Sequence, residues 1–400
     1  MAINSKNKVP EFSIEQEQNE FAASTEREKI KGSKNLNVPP LRFPEFTDEW
    51  TDTTIGSIAT VVGGGTPDTT QKDNWDGNIL WYTPSEIGKE KYLSDSERRI
   101  TNIGLKSSGA KLLPKGTILL TSRATIGECS IAAYECSTNQ GFQSLIANQG
   151  VNNEFLFYLV ASKRRELLKR ACGSTFLEIS ANEVRKIKVK SPSIDEQNKI
   201  ASLLALIDER IATQSRIIDK LQSLMSGIAE SLTTNTPNTK ISDCLVCHSS
   251  SLQENQIDLS GKYRVYGASG ICGFTDQPEV TVDSILIVKD GSGVGTVSYA
   301  DGEYSVIGTS NYLTAKDGYL LRYLYYCLMC FNFTPYKTGM AIPHIYFKDY
   351  GKAKIYCPPI EEQARIATAI SKIESKIETE QSILQQYTIQ KRHLFQQMFI

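Results

Sequence analysis

Two cysteine pairs are the first residues in this sequence whose type and spacing could do chemistry. Cys244-Leu-Val-Cys247-His248 has the spacing of a haem-attachment motif, and Cys327-Leu-Met-Cys330 could join it as a four-thiolate zinc site. Both have a plainer reading. Covalent haem attachment normally follows export, and the first twenty residues carry no signal-peptide core. The second pair lies in an apolar run, Tyr323 to Phe331, which predicts a buried helix with Cys at i and i+3. Nine cysteines, an odd number without an export signal, predict reduced thiols serving mostly as small core hydrophobes. No metal site is expected.

Catalytic groups are equally scarce. The Gly-Lys pairs at 88–89, 261–262 and 351–352 lack the upstream glycine of a phosphate-binding loop. There is no Gly-x-Ser-x-Gly elbow and no His-Glu-x-x-His. Gly63-Gly64-Gly65 is followed by Thr66 and Pro67, so it does not open a dinucleotide-binding helix. With only His248, His344 and His393, a histidine-based acid–base mechanism has little to work with. A binding protein without catalytic residues is expected.

The elements that would position binding groups are legible as a tandem repeat. The chain has 400 residues, net charge −1 and no apolar run long enough for a membrane span, which predicts a cytoplasmic protein of two or three domains. Residues 191–201 (SPSIDEQNKIA) match 357–367 (CPPIEEQARIA) at six of eleven positions, at an offset of 166. Each copy starts a heptad pattern. The first places Ile200, Leu204, Ile207, Ile211, Gln214, Ile218 and Leu221 in one stripe; the second places Ile366, Ile370, Ile373, Ile377, Glu380, Leu384 and Tyr387 there. Continued to Leu232 and Met398, this predicts two coiled-coil helices. Pro and acidic residues at their starts suit a helical first turn. The segments between carry short β-like runs at 116–122, 129–134 and 284–290, Gly turns, and helices at 154–171 and 318–331. The predicted organisation is a polar arm over 1–37, with room for a short amphipathic helix around 14–30, a first domain over 38–190, a helix over 191–234, a second domain over 235–356 and a second helix over 357–400.

The order of parts resembles the DNA-specificity subunit of a type I restriction–modification system. Four features carry the resemblance: Val38-Pro-Pro-Leu-Arg-Phe-Pro-Glu-Phe46, the Gly-Gly-Thr-Pro turn at 64–67, the duplicated Pro-x-Ile-(Asp/Glu)-Glu-Gln helix start, and the tandem plan. It covers residues 38–400; the polar stretch before Val38 is longer than the leader expected. The resemblance implies an α+β protein: two mixed α/β target-recognition domains separated by two long antiparallel coiled-coil helices, in a pseudo-twofold repeat. It implies double-stranded DNA as ligand, each domain reading half of a split target while the helices set the spacer. It further implies two methyltransferase subunits that carry S-adenosylmethionine, restriction motor–nuclease subunits as further partners, and no cofactor or catalysis in this chain.

Bases in the major groove are read by Arg or Lys on guanine and by Asn or Gln on adenine. On that ground and the resemblance, the candidate readers are Thr66, Arg123, Asn139, Gln140 and Ser174 in the first domain, and Lys289, Thr309, Asn311 and His344 in the second. Lys289 is taken as the counterpart of Arg123. Charge supports this unevenly: residues 51–190 hold 18 Lys+Arg against 14 Asp+Glu, while 239–357 hold 10 against 11. Lys163, Arg164, Arg165, Lys169 and Arg170 cluster on one predicted helix, with Arg185, Lys186, Lys188 and Lys190 nearby. Two rival readings stay open, a coiled-coil scaffold whose end domains bind proteins and an enzyme of unfamiliar fold.

Overall fold

The computed structural model describes residues 37–173, 177–339 and 342–400. The predicted polar arm, except for Asn37, and the helix weighed around 14–30 lie outside them. The chain divides into two compact units. One joins the described part of Ile30–Gln214 to Ile383–Ile400; the other is Ser215–Ser382.

In the first unit, a five-stranded sheet runs in the order Ala59–Gly63, Gln143–Ala147, Ile118–Leu120, Cys129–Ala132 and Tyr92–Leu93. Its neighbours pair antiparallel except the last two, which are parallel. A three-stranded sheet, Arg98–Ile100, Trp75–Tyr82 and Cys136–Thr138, lies in the same unit. The central strand is apolar at every position because both of its faces are covered. Side chains alternate across a strand, so Ile118 and Leu120 join a core with Phe155, Leu159, Ile200 and Leu204. Leu119 points the other way, into a cluster with Tyr82, Leu113 and Phe142.

The second unit repeats this plan. Its four-stranded antiparallel sheet runs Leu245–Ser249, Ser310–Ala315, Ser284–Val288, Val297–Ala300. Its three-stranded sheet is Gly270–Thr275, Tyr263–Gly267, Tyr304–Val306. Ile285 and Ile287 join the helix-side core with Tyr323, Leu324 and Ile370, and Leu286 joins the opposite cluster with Tyr304 and Val306.

The two long helices are Ile194–Thr233 and Ile360–Gln397. In the first unit Asp208 meets Lys391 and Arg210 meets Tyr387, so residue numbers rise along one helix as they fall along the other. The helices there run antiparallel. In the second unit Met225, Ile228 and Ala229 share a core with Ile366, Ala367 and Ile370. The predicted stripe is the covered one: Ile200, Leu204, Ile207, Gln214, Ile218, Ile366, Ile370, Ile377 and Glu380 are buried, and Ile211, Leu221, Ile373, Leu384 and Tyr387 half-buried. Its extension to Leu232 fails, because Ala229 and Thr233 are buried there while Leu232 is exposed. A second difference concerns the helix predicted over 154–171. It is two helices, Asn153–Ser162 and Arg164–Arg170, broken where Lys163 leaves helical ψ and sends its ammonium to the Ile400 carbonyl at 2.9 Å.

Among the described residues no helix is long and apolar enough to cross a membrane, and no group of three or more His, Cys, Asp or Glu could hold a metal ion. Burial pushes the Cys129 and Cys136 thiols up to about 12 and Cys247 up to about 11, which keeps these thiols protonated at neutral pH.

Candidate nucleic-acid interface

At the end of the central strand of the first unit, Thr121 closes a tight turn: its hydroxyl donates to the Thr125 carbonyl at 2.6 Å and its carbonyl accepts from Gly127 N at 3.1 Å. Ala124 (φ +56°) and Gly127 (φ +86°) lie in the left-handed region, and the turn lifts Arg123 into solvent. There the guanidinium meets Glu178 at 2.9 Å, with the side chains 45% and 39% exposed. An ion pair this open is worth less than about 1 kcal/mol. Glu178 therefore orients Arg123 without locking it, and a phosphate or a guanine edge can compete for the guanidinium.

The glycine turn reaches the same place by close backbone approach. A Cβ on Gly64 would lie 2.1 Å from the Asn139 carbonyl oxygen, and one on Gly65 would lie 2.3 Å from the Gly109 carbonyl carbon. Gly65 N donates to the Thr138 carbonyl at 2.9 Å, and the Trp81 indole donates to the Gly65 carbonyl at 3.0 Å. This holds Thr66 where its hydroxyl donates to Gln140 Oε1 at 2.5 Å. Asn139 Oδ1 caps Gly141 N at 2.8 Å, and Ser122 N donates to the Gly141 carbonyl at 2.8 Å, which ties this strip to Arg123. Thr66, Arg123 and Gln140 are exposed and Asn139 half-buried, so four of the five expected readers fall in one connected neighbourhood. Ser174 lies outside the described residues. Gly64→Ala should cost about 1–3 kcal/mol, since backbone must move to admit the methyl. Gly63→Ala, whose Cβ would meet nothing nearer than Gln143 Oε1 at 3.8 Å, should leave the thermal unfolding midpoint close to that of the parent.

The second unit has the same network with other residues. Lys289 N donates to the Thr309 carbonyl at 2.9 Å, as Ser122 N does to Gly141, and Ile345 N donates to the Lys289 carbonyl, as Ile179 N does to Ser122. Lys289 is thus the counterpart of Ser122, which corrects the expected match to Arg123. The cause is a local offset of 167 rather than 166. The residue that replaces Arg123 is Asp290, which bridges to His344 as Arg123 bridges to Glu178. The Lys289 ammonium turns back onto Asp290 at 2.8 Å. His344 is half-buried, with Nδ1 3.2 Å from the Ile342 carbonyl and its ring against Tyr346. Lys289, Thr309 and His344 therefore come together through their backbones, with the Thr309 hydroxyl itself buried. Asn311 does not join them: it is buried in strand Ser310–Ala315, where its Oδ1 accepts from Ser249 Oγ at 3.0 Å, and it presents no amide at the surface.

The basic cluster of the first unit is largely paired internally. Arg164 meets Glu128 at 2.7 Å, Arg170 meets Glu166 and Glu183, Lys186 meets Glu183, and Arg185 donates to the Val61 carbonyl at 3.0 Å. Glu183 is held below the usual carboxylate range by its bonds to Lys186 and Arg170. Glu178 and Asp290, the residues facing Arg123 and His344, were not singled out by the sequence, because each finds its partner only through folding.

A family model described as the type I restriction modification DNA specificity domain matches residues 47–223 and 245–388. The chain is 40% identical over 180 residues to the type I restriction enzyme MjaIX specificity subunit of Methanocaldococcus jannaschii, covering 43% of this chain and 42% of that one. It is 23% identical over 360 residues to the EcoprrI specificity subunit of Escherichia coli, covering 80% and 86%. The chain thus spans about two fifths of the first relative and most of the second. In fold it is similar to the S subunit of a type I restriction–modification system from M. genitalium, with TM-score 0.62 at 17% identity, covering 91% of this chain and 99% of that one. The twice-matched family model, with the duplicated loop network it falls on, makes this chain a member of the type I restriction–modification DNA specificity family.

Proposed function

We propose that this chain is the sequence-reading subunit of a type I restriction–modification complex in the cytoplasm. Each unit reads one half of a split double-stranded DNA target, and the long helices set the spacer and dock two methyltransferase subunits. Those subunits carry S-adenosylmethionine and the methyl-transfer chemistry, and motor–nuclease subunits join the complex for restriction. The chain itself contributes no catalytic residue, metal or cofactor. The observation that carries this reading is the duplicated network at the end of each central strand, where Thr66, Arg123, Asn139 and Gln140 gather in one unit and Lys289, Thr309 and His344 in the other. In the first unit these are the side-chain types that read base edges. The near-neutral second unit supplies few phosphate contacts, so partner subunits must add them.

The test is a gel-shift and methylation assay on host DNA with and without the cognate methyltransferase. Methyl transfer is expected only when both proteins are present, at one bipartite sequence. S-adenosylmethionine turnover by the isolated chain would refute the non-catalytic assignment. Failure to bind DNA even with the methyltransferase would favour a protein-binding scaffold.

A further inference from the structure

The duplicated Pro-x-Ile-(Asp/Glu)-Glu-Gln motif ends in a glutamine whose side chain does the same thing twice. Gln197 is buried; its Nε2 donates to the Pro192 carbonyl at 3.0 Å, and its Oε1 accepts from Asn152 N at 3.0 Å. Asn152 is the N-cap of helix Asn153–Ser162. Gln363 is likewise buried, donating to the Pro358 carbonyl at 2.9 Å and accepting at 3.0 Å from the N–H of Leu320, the N-cap of helix Leu321–Met329. One amide thus spans three pieces of chain: the strand-to-helix link, the first turn of the long helix and the start of the recognition-domain helix.

A second fastening follows at the same spacing in both copies. Tyr158, six residues after Asn152, donates its hydroxyl to Asp208 at 2.5 Å; Tyr326, six after Leu320, donates to Glu374 at 2.8 Å. Along the long helices the steps are also equal, eleven residues from Gln197 to Asp208 and from Gln363 to Glu374, about 16 Å. Each carboxylate also meets a cation, Lys391 at 2.6 Å and Arg322 at 3.0 Å. Burial and the carboxylate neighbour push both phenols up, so they remain donors. Apolar packing holds each domain against its helix; two directional polar contacts about 16 Å apart add a fixed direction along it.

We infer that Gln197 with Tyr158–Asp208, and Gln363 with Tyr326–Glu374, are paired clamps that set the angle of each recognition domain on its helix, and so the accuracy with which the complex measures its spacer. This rests on the proposed function. The clamp residues are buried or half-buried where each domain meets its helix; they are positioning residues.

The experiment uses the complex reconstituted with its methyltransferase, assayed on duplexes with the native half-sites and a spacer that is native or one base pair longer or shorter. Wild type should methylate the native spacer alone; if it methylates no bipartite target, the functional reading itself fails. In Tyr158→Phe, Tyr326→Phe and Gln197→Met, the preference for the native spacer should fall by about fivefold, the worth of one ordinary hydrogen bond. The half-sites should stay unchanged. Because a glutamine variant could fail to fold, the tyrosine variants, which lose one oxygen each, are decisive. Gln197→Glu, which keeps the acceptor toward Asn152 but loses the donor toward Pro192, should fall between wild type and Gln197→Met. A lowered unfolding midpoint with an unaltered spacer preference would overturn the inference and leave these residues a purely structural role.

Discussion

Inserting four residues into each long helix should widen the gap between the two half-sites by one or two base pairs and leave the half-sites themselves unchanged. Four residues add about 6 Å of helix, and duplex DNA advances roughly 3.4 Å per base pair. The insertions must sit at the same level of the pair. Since the helices run antiparallel where Arg210 meets Tyr387, they belong beside those two residues, not at repeat-equivalent positions. Four residues also turn each helix about 40° beyond one full turn, which costs seam packing. A seven-residue insertion restores the heptad phase almost completely and should widen the gap by about three pairs with better activity. Methylome mapping of cells carrying the lengthened chain with its methyltransferase reads the result. An unchanged gap at good activity would show that the helices do not measure distance, and an altered half-site would show that recognition is not confined to the two units.

Arg42→Met should destabilise the first unit by roughly 3 kcal/mol or more, because it strands a buried carboxylate. Glu196 has a side chain only 1% exposed, and Arg42 grips both of its oxygens at 2.7 Å through Nε and Nη2. The same motif in the second unit provides the control. Glu362 is paired with Arg365 on its own helix at 3.3 Å, and both are well exposed, so Arg365→Met should cost less than about 1 kcal/mol. Adding Glu196→Leu to Arg42→Met should recover most of the loss, since removing both partners costs far less than leaving one buried charge unpaired. Urea unfolding followed by circular dichroism reads both units, and the fluorescence of Trp50, which packs in the core of the unit that holds Arg42, reports separately on the first. Equal losses in the Arg42 and Arg365 variants would show that burial at Glu196 is not what makes its partner important.

Most of the architecture was legible in the amino-acid order because it is written in local periodicity. The covered stripe from Ile200 to Leu221 and from Ile366 to Tyr387 follows from alternating steps of four and three. The buried strands Ile118–Leu120 and Ser284–Val288 follow from short continuous apolar runs between turns. The repeat itself needed only comparison of the chain with its own later half. Other features were decided by tertiary contact alone. Arg42 and Glu196 are 154 residues apart, and nothing at either position announces the other. The break at Lys163 comes where that side chain reaches the Ile400 carbonyl, and the exposure of Leu232 follows from Ala229 and Thr233 packing in its place. Asn311 has the side chain of a base reader and is lost to the sheet because Ser249 lies beside it in register. Glu178 against Arg123, and Asp290 against His344, come from strand-like bridges between segments about fifty residues apart along the chain. Periodicity determines which face of an element is apolar; which polar group meets which depends on loop closure over long separations, and that only the folded chain decides.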